Sequence, residues 1–189
     1  DDPRQRAMAA LRLVQDRVRY VALAMGDGGY VPASAGQTWS RRFGDCKGKT
    51  ALLLALLHGL GIDAEPALVS TAWGDILSDS LPQTTLFDHV IVRAVIDGQT
   101  LWLDGTRQGD RLVEDVVFSP YRWALPVRMQ GATLEELPPI PPARPLMEIH
   151  ATADASDGFN DNVPVNGQIV FRGETAMMMQ LAANESGSE

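Results

Sequence analysis

Apolar residues recur at Met8, Leu11, Val14, Val18 and Val21, three to four positions apart with Arg and Gln between them, which is the spacing of a helix with one buried face. A helix is therefore predicted from Arg4 to Val18. Gly26, Gly28, Gly29 and Pro32 end the pattern in a loop that carries Tyr30. From Thr50 the run Ala-Leu-Leu-Leu-Ala-Leu-Leu is apolar nearly all round, so a second helix is predicted to be buried on most of its faces. Gly44-Asp45 opens it, with Asp45 as an N-cap, and Gly59 and Gly61 close it. Cys46 falls in its first turn.

Three strand-like runs follow, Glu65 to Thr71, His89 to Ile96 and Gln99 to Leu103. Asp97-Gly98 between the last two is a strong hairpin signal. The polar stretch from Gly74 to Thr85 is predicted to be an exposed loop. Further on, Leu137-Pro-Pro-Ile-Pro-Pro-Ala-Arg-Pro marks a stiff extended passage, and Gln168 to Thr175 has a strand pattern before a polar end, Asn184-Glu-Ser-Gly-Ser-Glu. The expected organisation is a core at 1–136, a proline-rich linker at 137–146 and the start of a truncated β-rich module at 147–189. No internal repeat is visible. The chain opens at Asp1 without an initiator Met, which is the expectation for a piece of something longer.

The 189 residues suffice for one ordinary domain plus an extension, and the formal charge of -8 argues against nucleic acid or an anionic membrane as partner, since those surfaces are met by clustered Lys and Arg. The longest strongly apolar stretch, Ala51 to Leu57, falls far short of the roughly 20 residues that span a bilayer, so direct membrane insertion is not expected. One cysteine cannot form an internal disulfide. A lone Cys is by default a small buried hydrophobe, and its neighbours decide otherwise here.

A thiol attacks as its thiolate, which a helix N-terminus, a nearby cation and an imidazole partner each stabilise. Cys46 sits at a helix start, Lys47 and Lys49 are close in sequence, and Asp45 pulls the other way. The hairpin supplies the imidazole. A two-residue turn pairs Ile96 with Gln99 and hence Ile91 with Asp104, which makes His89 and Asp104 diagonal neighbours on one face, roughly 7 to 8 Å apart by Cα. A carboxylate on one ring nitrogen leaves the other free for the thiol proton. A one-residue slip would put the two on opposite faces. The same register collects Val90, Val92, Ala94, Ile96, Leu101 and Leu103 on an apolar face, and leaves His89, Ile91, Arg93, Trp102 and Asp104 on a mixed one.

In order, Tyr30-Val-Pro, Arg41-Arg-Phe-Gly-Asp-Cys-Lys-Gly-Lys-Thr, Phe87-Asp-His-Val and Trp102-Leu-Asp-Gly-Thr resemble the bacterial transglutaminase-like superfamily, over Arg4 to Arg107. The resemblance implies an α+β, papain-like core with a central buried helix packed on an antiparallel β-sheet. It also implies a Cys-His-Asp triad at Cys46, His89 and Asp104. Members include protein cross-linkers, peptidases and amidases, so the implied activity is acyl transfer from a peptide or protein amide through a thioester, with water or an amine as acceptor. The implied setting is periplasmic or otherwise extracytoplasmic, beside further domains of a longer chain. The Cys46 backbone N–H is the natural first oxyanion donor, and Gln37 and Trp39 are candidates for the second. The sequence departs from the family pattern at Gly48, where an acidic residue is common, at Asp88, where Asn is common, and at Gly105, where Pro is common.

Other conspicuous residues have plainer readings. His58 suits the C-terminal end of the helix dipole, His150 is structural or exposed, and Arg41 and Arg42 are solvated. Trp39, Trp73, Trp102 and Trp123 are core or site-wall residues, and Met177-Met-Met is apolar packing. The acidic stretch from Asp154 to Asn162 lacks the ligand spacing and closing Glu of a calcium loop, and no paired Cys or His motif marks a metal site. No cofactor is expected. The competing readings are a module that uses the cleft only to bind a peptide or a neighbouring domain, and a redox-sensing thiol.

Overall fold

The computed structural model describes residues 2–22, 31–116, 121–137, 141, 144–156, 158 and 162–186. Helix α1 spans Pro3–Arg17 and is capped by Asp2, whose carboxylate accepts from the Arg4 N–H at 2.9 Å. Its buried face carries Ala7, Met8, Leu11 and Val14, together with Gln15. The glycine loop and Tyr30 lie outside the described residues. Strand β1 (Arg19–Tyr20) then pairs in parallel with β2 (Phe43–Gly44), joining the end of α1 to the residues before Cys46.

Between them lies α2 (Ala35–Arg41), which has no apolar period to announce it. Ser34 and Gln37 form a reciprocal capping box, and Arg42 at φ 59° ends the helix. Helix α3 (Cys46–Gly59) starts at the predicted cysteine, and Gly61 at φ 72° follows its last turn. Leu52, Leu53 and Leu57 are buried, whereas Ala55 and His58 are exposed, so the helix has one open side.

A five-stranded antiparallel sheet follows, in the order β5-β4-β3-β6-β7. It comprises β3 (Asp63–Val69), β4 (His89–Ile96), β5 (Gln99–Leu103), β6 (Trp123–Pro126) and β7 (Glu135–Glu136), with a short helix α4 (Val113–Val116) after β5. The β4–β5 register runs from Ile96 opposite Gln99 to Val92 opposite Leu103, which is the register predicted from the turn. Asp97 and Gly98 have φ of 52° and 74°, the signature of a type I′ turn. Strand β3 begins and ends two residues before its predicted bounds. The 74–85 stretch is not simply an exposed loop: it forms two short 3-10 turns, Gly74–Asp79 and Thr84–Leu86, and buries Leu77.

Both faces of the sheet bury apolar residues. Val92, Ala94, Ile96 and Leu103 pack with α1 and α3 in the main core. On the other face Ala67, Val69, Ile91, Ala124 and Leu137 form a smaller cluster against Trp102 and Tyr121. The mixed face is therefore partly a second core, and it includes Leu137, the first residue of the expected linker, whose N–H donates to the Arg122 carbonyl at 2.7 Å. Most of the proline-rich run lies outside the described residues.

Beyond it, β8 (Met147–Ala153) and β9 (Val165–Phe171) form a separate antiparallel ribbon. The predicted strand through Thr175 stops at Phe171. Gly173 at φ 58° turns the chain, and helix formers then build α5 (Gly173–Ser186). Met178 and Met179 on α5 are exposed, not packed in a core. No helix among the described residues is long and apolar enough to cross a membrane.

Because the hairpin turn needs a left-handed residue at Gly98, Gly98→Ala should cost about 1–2 kcal/mol. Urea unfolding with an unchanged m-value checks it.

Candidate active site

Cys46 is the first residue of α3 and is half-buried. Asp45 caps the helix by accepting from the Gly48 N–H at 2.9 Å, and the free N–H groups of the first turn face the thiol end of the helix. The Thr50 hydroxyl donates to the Val90 carbonyl at 3.1 Å, pinning this end of α3 to the start of β4. That places the thiol beside His89, the first residue of β4.

The His89 Nε2 lies 3.0 Å from Asp104 Oδ2, with both side chains more than nine-tenths buried. Cys46 acts on the same ring as a partner that favours its protonated form, and with Nε2 engaged by Asp104 Nδ1 is the ring nitrogen left for a sulfur. Burial alone would push the His89 pKa down. Asp104 and Cys46, as acceptors from the ring and as negative charges, outweigh it and raise the value to about 9. Burial likewise pushes Asp104 up, but bonds to His89 and Thr106 hold its carboxyl below the ordinary carboxylate range. The structure thus brings Cys46, His89 and Asp104 together from three separate elements.

Residues the sequence did not single out complete the corner. Asp104 Oδ1 accepts from the Thr106 N–H at 2.8 Å and from its hydroxyl at 2.7 Å. Asp followed two residues later by Thr is a local turn signal, so this pair was open to recognition. Asp104 Oδ2 also accepts from the Tyr121 hydroxyl at 3.0 Å. The Asp104 carbonyl accepts from Gln15 Nε2 at 3.0 Å, and the same nitrogen donates to Asp110 Oδ2 at 2.7 Å. Gln15 was visible only as a polar residue beside an apolar stripe, and Tyr121 carried no local signal. Tyr20, opposite Gly44 in the β1–β2 pair, titrates above the ordinary phenol value because of burial and the charges of Cys46 and Asp45.

The two lysines divide. Lys47 pairs with Asp45, whereas Lys49 is not a cation beside the thiol. It is fully buried and donates to the Val18 carbonyl, tying the end of α1 to α3. Burial lowers its pKa to about 8, against the charges of Asp104 and Asp16. Gln37 is exposed and its carbonyl oxygen accepts from the Ser34 N–H at 3.0 Å. Trp39 lies under the Arg42 guanidinium, 3.5 Å from the ring centroid. Neither residue hydrogen-bonds to Cys46, His89 or Asp104.

The departures from the family pattern have neighbours that account for two of them. A Cβ on Gly48 would stand 2.9 Å from the Thr38 hydroxyl, and one on Gly105 would stand 3.2 Å from Val14 Cγ1. Asp88 accepts from the Thr71 N–H at 2.8 Å and its hydroxyl at 2.6 Å, holding the chain just beyond β3 to the start of the strand that presents His89. His58 Nε2 meets the Ala64 carbonyl at 2.7 Å, a link between α3 and β3, and His150 is exposed. Trp73 is also half exposed, not core. Among the described residues no group of three or more His, Cys, Asp or Glu is placed to hold a metal.

No family model matches this chain, and no curated protein matches it. Among solved structures it is similar to a candidate protease from Parabacteroides distasonis, at 16% identity and a TM-score of 0.52, over 72% of this chain and 24% of that one. It also matches a candidate cysteine protease from Cytophaga hutchinsonii at 17% identity and a TM-score of 0.41, over 87% of this chain and 44% of that one. The chain spans about a quarter of the first structure's length and under half of the second's. The first likeness establishes a shared fold, of mixed helices and an antiparallel sheet.

Two outcomes follow from this packing. Gly48→Ala should destabilise by about 1–3 kcal/mol through overpacking despite its better helix propensity, and most of that loss should vanish in the Thr38→Ala background. A double-mutant unfolding cycle measures the coupling. Separately, the folded chain holds the Lys49 proton less well than the unfolded chain, so the charge weakens the fold at low pH and the penalty lifts from about 8 to 10.5. The parent should therefore gain stability relative to Lys49→Met across that window. His89 runs the other way: its contribution is complete below 6.5 and is lost as pH rises through about 9. Urea unfolding against pH, with Lys49→Met and His89→Gln each compared with the parent, reads both signs.

Proposed function

We propose that the chain is a thiol-dependent acyl-transfer domain of the transglutaminase-like kind, built on a papain-like core and acting on peptide or protein amides. The observation that carries this reading is an imidazole held by Asp104 on Nε2 at 3.0 Å, whose protonated form Cys46 also stabilises. In the first half-reaction the Cys46 thiolate adds to the amide carbonyl carbon. Protonated His89 then gives its proton to the amine as the C–N bond breaks, leaving a thioester on Cys46. In the second, neutral His89 takes a proton from the incoming acceptor, which attacks the thioester and frees the thiol. The Cys46 backbone N–H stabilises the oxyanion in both steps.

Water as acceptor makes the domain a peptidase or amidase, and an amine makes it a cross-linker. Hydrolysis is the leading form, in keeping with the class of the candidate protease whose fold it shares. The sequence resemblance supports an extracytoplasmic setting, with the β8–β9 ribbon as part of a further β module in a longer chain.

Iodoacetamide labelling of Cys46 against pH, in the parent and in His89→Ala, tests the activated thiol. Removing the imidazole should slow labelling at pH 6 by about tenfold or more. Superimposable profiles would sink the reading and leave a module that only binds. Intact-mass detection of an acyl adduct from an activated ester, lost in Cys46→Ala, separates acyl transfer from a redox thiol.

A further inference from the structure

An ionised carboxylate offers about four lone-pair positions, and Asp104 has all of them in use. Thr106 N–H and hydroxyl take Oδ1, while His89 and Tyr121 share Oδ2. Tyr121 approaches from the segment leading into β6, its ring packed on the smaller core cluster and its centroid 5.7 Å from that of His89. Charged groups that act on its phenol include Asp104, Arg107 and Asp88. Burial and the negative charge of Asp104 keep the phenol protonated, so toward this carboxylate it acts as a donor. Two effects follow. The donor stops the carboxylate from turning away from the imidazole, and it draws charge from the oxygen that His89 uses.

We propose that Tyr121 is a positioning residue for the Cys46–His89 pair, acting through Asp104. It holds Oδ2 so that the ring keeps Nε2 on the carboxylate and Nδ1 on the thiol, and it moderates the grip of Asp104 on the imidazolium proton. That moderation matters because an imidazolium bound too tightly is a poor acid toward a leaving amine. The role rests on the acyl-transfer reading above.

Tyr121→Phe keeps the ring and removes only the donor. The His89 imidazole titration, followed by NMR and assigned among the chain's three histidines with His89→Gln, should move to higher pH in Tyr121→Phe. Acylation of Cys46 by a peptide anilide should fall about tenfold, while acylation by an activated ester, which needs no protonated leaving group, should change little. Leu137→Ala loosens the same cluster without touching Asp104 and should leave the titration in place. If Leu137→Ala shifts His89 as far as Tyr121→Phe does, or if Tyr121→Phe titrates like the parent, the role of Tyr121 is overturned. A parent whose Cys46 labelling ignores His89 overturns the acyl-transfer reading first, and this role with it.

Discussion

The hydrogen bond between His89 and Asp104 lies in a corner from which water is nearly excluded, and most of the surrounding architecture is needed to keep it there. Neither partner is cheap to bury: burial opposes the charge on both His89 and Asp104. The pair persists because every remaining acceptor position of the carboxylate is filled and Cys46 adds to the stabilisation of the protonated ring. Removing one partner of such a pair costs about 3–5 kcal/mol, mostly because the other is left buried and uncompensated. The corner is thus better understood as a constraint the fold satisfies than as a source of its stability.

Three separate devices satisfy it. The type I′ turn at Asp97-Gly98 sets the register that puts His89 and Asp104 on one face. Gln15 on α1 fixes the backbone of Asp104, and Lys49 on α3 fixes the backbone of Val18, so α1 is clamped on either side of the site. Asp88 and Thr71 fasten the segment that leads into His89. The turn, the two side-chain-to-backbone bonds and the Asp88–Thr71 pair together bring the start of α3, the start of β4 and the end of β5 into one corner.

Close packing around α3 also explains how this chain differs from the pattern it resembles. Gly48 leaves room for Thr38 on α2, and Gly105 leaves room for Val14 on α1. Each glycine lets a neighbouring helix approach the site more closely than a side chain would allow. These positions are coupled to their partners, and a substitution at one is expected to be felt through the other.

The sequence by itself determined what depends on short-range physics. The α1 stripe, the Asp45 cap that starts α3 at Cys46, the Asp-Gly turn and the β4–β5 register all follow from spacing and backbone preference, and with them the diagonal placement of His89 and Asp104. Thr106 belonged to the same local class and was there to be found. The sequence did not disclose α2, whose short, polar turns rest on a capping box and one tryptophan. Nor did it reveal that Lys49 points inward to Val18, that Leu137 closes a second core, or that the strand after Gln168 yields to a helix at Gly173. Tyr121 is the clearest case: 17 residues separate it from Asp104, and no periodicity links them. Only tertiary packing, which decides where a side chain's polar end finds its partner, could place that hydroxyl on the oxygen His89 uses.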